Sequence, residues 1–456
     1  MNIKKYLSLP LSSLCLTCSL ITPAQVKAQR VLSLDSCRTL AKEYSRSLQQ
    51  KNQDILAAEA QRKDVFTKFF PQVAARGLYL HMEKEFKLID WSQPLGAFNF
   101  IIPNKLRDLG TVDLRNVWVG NVTAIQPLYM GGKIVSGYKM AGMAERLQHE
   151  LKQTAVTEVE SKVDETYWQV VSLASKEKLI KQLLTLLKQT NKDVDAAIAA
   201  GMATKADGLT IRTKLSEAEV KLSQVENGLE LSKMLLADLC GLGESNTFTL
   251  EDEGSMDIPL LNTSNKQDEQ SLAEAVERRS EIRSLRLVDS IYAKRVSMET
   301  ASLSPKLYGF ASYSMTNPNS FNGAKKTFGG QYYLGLMMEV PISDLFSGTY
   351  KRRQVQAEHR AKQIELSDAR SKITLQMKQA IRTTEDAHKA YASALKAVEM
   401  AKENMRYAEI GYKEGVIPLL NYTMAQTAWM SAQDNLIDTQ IKVRLSESKL
   451  KNILAL

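Results

Sequence analysis

A single spacing, 214 residues, limits what this chain can fold into. Small or apolar residues recur at Ala394, Val398, Ala401, Met405, Ala408 and Tyr412, in alternating steps of four and three. After Gly415 the same rhythm resumes at Ala425, Trp429, Ala432, Leu436, Thr439 and Val443. That is the seam of a helical coiled coil, interrupted once by a residue able to take positive φ. Moving back by 214 gives Ile180, Leu184, Leu187, Asn191, Val194 and Ile198, then Gly201, then Ile211, Leu215, Ala218, Leu222, Val225 and Leu229. One heptad run is an ordinary buried helix. Two helical hairpins sharing a register and a turn position are a duplication.

The N-terminus reads as an export signal over residues 1–28. Lys4 and Lys5 precede an apolar stretch from Leu7 to Ile21, and Val26-Lys27-Ala28 supplies small residues for cleavage before Gln29. Pro10 and several serines interrupt the apolar part, which falls short of the roughly 20 residues of a spanning helix. Cys15 and Cys18 lack the preceding small residue of a lipid-attachment site, so no N-terminal lipid is expected. The remaining cysteines, Cys37 and Cys240, are too few for a disulfide framework, although export would oxidise them if they met. Losing Lys4, Lys5 and Lys27 lowers the net charge from +9 to about +6. Those charges are interspersed with acids along helices, which describes a solvated face rather than a nucleic-acid site.

Strand patterns lie between the helices. Leu34 to Phe70 is a predicted helix stopped by Pro71, with predicted strands over Gln72–Leu88 and Leu114–Gln126 and a loop over Asp90–Asp113 that carries Trp91, Phe98 and Phe100. Pro127 closes the second strand, and Gly131 and Gly132 launch a helix to Ala200. The second half repeats the plan: a helix over Ser271–Ser304, strands over Lys306–Met315 and Gln331–Val340, closure by Pro341, and a helix from Gly348 to Glu414. In the last strand Tyr332, Leu334, Leu336, Met338 and Val340 share one face. Gly241 to Gln270 is an acidic linker with one short strand. The domains are therefore read as residues 29–241, a linker or equatorial segment over 242–270, and 271–456, after the 1–28 signal.

Each long helix is close to 70 residues, so about 100 Å. Each return arm, Thr204–Cys240 and Val416–Leu456, covers about half of that, and the helix before each pair of strands covers the rest. This is the wall of a tall cylinder. The strands are long enough to cross a bilayer when tilted, yet four cannot close a membrane barrel, whose smallest forms have roughly eight. Strands in lipid would require several copies to share one barrel. Trp118 and Tyr332, near strand ends, suit an interfacial aromatic belt.

The order of helix, strand, strand and hairpin, duplicated behind a signal, resembles the TolC-like outer-membrane efflux proteins. Leu32-Ser-Leu-Asp-Ser-Cys37 with Pro71, Leu272-Ala-Glu-Ala275 with Arg279-Ser-Glu-Ile282 and Pro305, Gln126-Pro-Leu-Tyr-Met-Gly-Gly-Lys133, Val340-Pro-Ile-Ser-Asp-Leu-Phe-Ser-Gly348, and Tyr412-x-x-Gly415 with Asn421 carry the resemblance. It implies a mainly α fold with β: a homotrimer with a barrel of about twelve strands in the outer membrane of a Gram-negative bacterium, standing on a helical periplasmic tunnel. It also implies a passive exit duct for a tripartite efflux or type I secretion system, with a periplasmic adaptor and an inner-membrane transporter as partners. Catalysis, cofactors and metals are not expected, since His81, His149, His359 and His388 are scattered and no cluster has ligand spacing. By the resemblance, Gly201, Asp207, Gly415 and Asn421 form the periplasmic tip and pore mouth. The family's inner hairpin often carries pore acids where this chain has Asn421 and Met424. A second reading is a periplasmic adaptor built of helical hairpins without a barrel. It lacks support in a lipoyl-like domain flanking one hairpin.

Overall fold

Two antiparallel helical hairpins of nearly equal height dominate the computed structural model, which describes residues 30–83, 86–87, 111–112, 114–243, 248–253, 269–323 and 325–454. The predicted signal (1–28), Trp91, Phe98 and Phe100 lie outside the described residues. In chain order the helices are α1 (Leu34–Tyr44), α2 (Arg46–Thr67), α3 (Lys133–Ala199), α4 (Lys205–Leu239), α5 (Glu269–Arg278), α6 (Ser280–Ala301), α7 (Asp344–Lys413) and α8 (Leu419–Leu454). The strands are β1 (Arg30–Leu32), β2 (Gln72–His81), β3 (Phe86–Lys87), β4 (Thr111–Val112), β5 (Asn116–Tyr129), β6 (Phe248–Leu250), β7 (Lys306–Asn317) and β8 (Gly329–Glu339). Helix α3, of 67 residues, and α7, of 70, span about 100 Å each. Against α3 pack α4 from one end and α1–α2 from the other; α8 and α5–α6 do the same for α7. The stacking of two short helices on one long one is as expected.

The lower short helices are broken where single helices were predicted. Ser45 is extended at ψ 117 and caps α2 by accepting from the Leu48 N–H. Arg279, with ψ 134, breaks the second pair although arginine is a good helix former. Its guanidinium donates to the carbonyls of Asn452 and Ile453 while forking onto Glu281 at 3.0 and 2.6 Å. Carbonyls left over in the last turn of α8 gain a donor, which offsets the break.

Strands β2, β5, β7 and β8 make one antiparallel sheet in that order, so the two repeats meet at the β5–β7 ladder. Among the described residues β2 and β8 each have a single neighbour, and both edges of the sheet are open. The short parallel pair of β1 with β6 lies at the equator; β6 is the strand expected in the linker. The first predicted strand ends early, at His81, and Phe86–Lys87 instead pair with Thr111–Val112.

Two corners differ from expectation. Strand β5 runs through Pro127 to Tyr129, with a register shift between Pro127 and Tyr129. A bulge tolerates a residue without an N–H, so the proline sits inside the strand instead of ending it. Helix α7 starts at Asp344, not at Gly348. Gly348 lies one turn inside it, where a Cβ would meet the Leu303 side chain at 2.4 Å. At this corner Pro341 follows β8; at the other, Gly131 and Gly132 take φ of 62° and 83° just before α3. A Cβ on Gly131 would lie 2.7 Å from the Ala301 carbonyl oxygen, so this corner is packed against the end of α6.

The largest buried cluster lies at mid-height, where Cys37, Val163, Tyr167, Leu236, Phe248 and Ile441 join both repeats. Its main polar anchor is Asp164, 2% exposed, which accepts from Nε and Nη2 of Arg38, both at 2.7 Å, and from the Ser448 hydroxyl. Three helices, α1, α3 and α8, are thereby tied to one carboxylate. The Tyr167 hydroxyl donates to Asp252 at 2.8 Å beside it.

Candidate functional site

The tips of the hairpins are built alike. Ala200 caps α3, the Gly201 N–H donates to the Ile198 carbonyl and the Met202 N–H to that of Ala197. At the second tip Glu414 caps α7, Gly415 donates to Tyr412 and Val416 to Gly411. These paired bonds satisfy the last carbonyls of each helix and need a left-handed residue, supplied by Gly201 at φ 73° and Gly415 at φ 72°. The structure brings the two tips together. Val194 and Ile211 of the first pack with Ala408, Leu419, Tyr422 and Ala425 of the second.

The return helices start differently. Thr204 caps α4: its Oγ1 accepts from the Asp207 N–H, and Asp207 Oδ2 accepts from the Thr204 N–H at 2.9 Å and hydroxyl at 2.7 Å. Those bonds hold the Asp207 carboxyl below its usual range. The counterparts 214 residues on are Pro418 and Asn421, and the Asn421 N–H donates to the Pro418 carbonyl at 3.0 Å. The proline's preset φ substitutes for the cap. Asp207 is therefore bound into its own helix start, whereas the Asn421 side chain is exposed, as is Met424 one turn on.

Sequence reasoning missed what stiffens the tip. Tyr412 and Tyr422 stack with ring centroids 5.3 Å apart and planes 10° from parallel. Burial pushes both phenols above their usual pKa. Below them the buried Gln426 amide donates to the Thr190 hydroxyl across the two hairpins at 3.4 Å. Both residues stand one position off the seam read from the sequence, Thr190 beside Asn191 and Gln426 beside Ala425, and carried no signal there.

At the opposite end the sheet register separates a largely apolar face from a mixed one. One face carries Val73, Ala75 and Tyr79 of β2, Trp118, Val122 and Ala124 of β5, Ala311, Tyr313 and Met315 of β7, and Tyr332, Leu334, Leu336 and Met338 of β8. The last four are 73%, 73%, 70% and 69% exposed. Trp118 packs on Tyr79 with ring centroids 4.5 Å apart and planes tilted by 39°, and Tyr313 lies opposite Tyr332, so the predicted Trp118 and Tyr332 sit in an aromatic zone at the end of the sheet remote from the helices. The other face is mixed: it holds Arg76, Asn121, Thr123, Ser312, Ser314 and Gln331, with Asn121 and Thr123 hydrogen-bonded to the Ser312 hydroxyl at 3.1 and 2.8 Å, together with Leu78, Val119, Ile125, Phe310, Tyr333 and Met337. A largely apolar face backed by one that gathers the sheet's polar side chains suits a wall between lipid and water.

Among the described residues no group of three or more His, Cys, Asp or Glu could hold a metal ion, and no helix is long and apolar enough to cross a membrane. Comparison with known proteins agrees with the geometry. A family model described as outer membrane efflux protein matches residues 38–242 and 271–456. Among solved structures, the outer membrane protein VceC of Vibrio cholerae superposes with a TM-score of 0.74 at 14% identity, covering 92% of this chain and 95% of its own. The CmeC outer membrane channel of Campylobacter jejuni gives 0.74 at 13%, covering 92% and 85%. The open MtrE outer membrane channel of Neisseria gonorrhoeae gives 0.73 at 15%, covering 92% and 88%. No match was found among curated protein sequences.

Proposed function

This chain belongs to the outer membrane efflux protein family, an exit duct of the outer membrane with a periplasmic extension, and on that premise we propose that it works as a homotrimer whose tips receive a periplasmic adaptor fed by an inner-membrane transporter. Three four-stranded sheets joined β8 to β2 give a closed barrel of about twelve strands, antiparallel throughout. The observation that carries this is the sheet itself. It has one largely apolar, exposed face, an opposite face that carries most of its polar side chains among apolar ones, and two open edges that lipid would not tolerate. A helical adaptor without a barrel would leave that apolar face in water.

In this reading the duct does no chemistry of its own. Cargo passes along the more polar face of the sheet and the helical tunnel, entering through a mouth at Gly201, Asp207, Gly415 and Asn421. The repeats over 29–241 and 271–456 supply equivalent walls, and residues 242–270 belong to the equator. Trp118 and Tyr332 lie at the lipid–water boundary. Detergent extraction of isolated outer membranes followed by mass determination tests the proposal: the expected particle contains three chains. Recovery from the soluble periplasmic fraction, or as a single chain in gentle detergent, would overturn it.

A further inference from the structure

The two cysteines of the mature chain meet at the equator. Cys37, in the first turn of α1, and Cys240, the C-cap of α4, are both fully buried, and the Cys240 thiol lies 3.6 Å from the Cys37 carbonyl oxygen. The close approach is built in: a Cβ on the next residue, Gly241, would sit 2.5 Å from the Tyr44 ring, so the end of α4 is pressed against α1. The second repeat joins its own parts without sulfur. Leu454, 214 residues after Cys240, packs there with Leu272, Ala275 and Val276. A plain apolar contact suffices at that twin junction.

We propose that Cys37 and Cys240 form a disulfide, made during folding after export, that staples the first helix of the mature chain to the base of the first hairpin. The inference rests on the export that outer-membrane residence requires, since thiols meet oxidants in that compartment. The Cys240 thiol donates to the Cys37 carbonyl, so the folded chain already holds the two side chains in one buried contact. Either sulfur can attack first, and both orders give the same product. With Cys240 first, its thiolate attacks one sulfur of an oxidised dithiol carrier and expels the other as a thiolate. Cys37, deprotonated in turn, attacks the Cys240 sulfur of the mixed disulfide and releases the carrier. Two electrons pass to the carrier, and the two protons lost from the cysteines end on its thiols. Because both sulfurs are buried in the finished structure, the exchange precedes closure of the equator. Only the first repeat is stapled; the second hairpin, held by Leu454, stays uncrosslinked at its base.

The test is alkylation with a maleimide of protein extracted from cell envelopes, denatured without reductant, followed by intact mass. The expected result is a chain two hydrogens lighter than the dithiol with no adducts, and two adducts after reduction. The Cys240→Ser variant should show one adduct without reduction. Two adducts on the parent chain before reduction, or disulfide-linked dimers, would overturn the proposal. The same mass shows whether residues 1–28 have been removed. Free thiols on a processed chain thus refute the pairing itself, and free thiols on an unprocessed chain refute the export on which it rests.

Discussion

Removing Arg38 should damage this protein more than removing the whole ion pair of which it is part. Asp164 is 2% exposed, so its charge is held almost entirely by two guanidinium N–H groups at 2.7 Å and the Ser448 hydroxyl. The Arg38 bond to Asp35 adds little, because Asp35 is 88% exposed. Arg38→Ala leaves an unpaired carboxylate among apolar side chains, a change of about 3–5 kcal/mol. The lower end, about 3 kcal/mol, suits Arg38, whose side chain is 23% exposed and leaves a path for water. Arg38→Met with Asp164→Leu removes both charges and keeps apolar volume, so it should stay within about 1 kcal/mol of the parent. The coupling between the two positions should then exceed roughly 2 kcal/mol. Chemical denaturation of the detergent-solubilised protein, followed by its helical circular dichroism, measures all three. If the double variant is as unstable as Arg38→Ala, the loss comes from packing, and the reasoning about an isolated buried charge is refuted.

Three further outcomes follow from the site. Gly415→Ala should cost only the backbone term of about 1–2 kcal/mol, since nothing lies within 4 Å of its Cβ position, whereas Gly131→Ala adds a 2.7 Å clash with the Ala301 carbonyl; trimer yield and thermal midpoint should fall clearly further for Gly131→Ala. The Asp207 carboxyl is held below its usual pKa by Thr204, so its stabilisation is present above the unfolded value near about 4 and is lost as pH falls through the folded value. A spin label at Met202 should therefore gain mobility on acidification below about pH 4, one at Val416 should not, and Thr204→Ala should abolish the difference. Asn421→Asp should give a pore with pH-dependent conductance and block by multivalent cations from the periplasmic side, while the unmodified pore stays nearly independent of pH between about 4 and 8 in planar bilayers; an insensitive Asp variant would place Asn421 away from the channel.

The hairpins were legible because a heptad pattern is itself a record of burial: the seam residues at Val194, Ile211, Ala408 and Ala425 are buried in the tip cluster. Strand β8 was legible for the same reason, with period two replacing three and a half. The breaks at Ser45 and Arg279 were not. A serine or arginine inside a long polar helix carries no local signal, and the group that stabilises the Arg279 break is the end of α8, 173 residues away. Pro127 misled in the other direction. A proline ordinarily ends a strand, but a register shift removes the demand for its N–H.

The tip shows why residue identity at a motif position does not translate directly into charge at a pore. Asp207 and Asn421 stand at equivalent places, and only the acid has a local task, since it closes a reciprocal cap with Thr204. The second return helix starts at a proline and needs no such carboxylate, so Asn421 there is free of that constraint. The neighbouring acids of the first tip are likewise engaged: Asp195 accepts from Arg212 at 2.9 Å and from Asn191 at 3.0 Å, and Asp193 from Gln189 at 2.8 Å. A carboxylate bonded by such donors keeps its charge but is held in place, and cannot swing to line an opening without losing those bonds. The first tip thus engages Asp193, Asp195 and Asp207 in its own helices, while the second presents an amide, Asn421, at the position equivalent to Asp207.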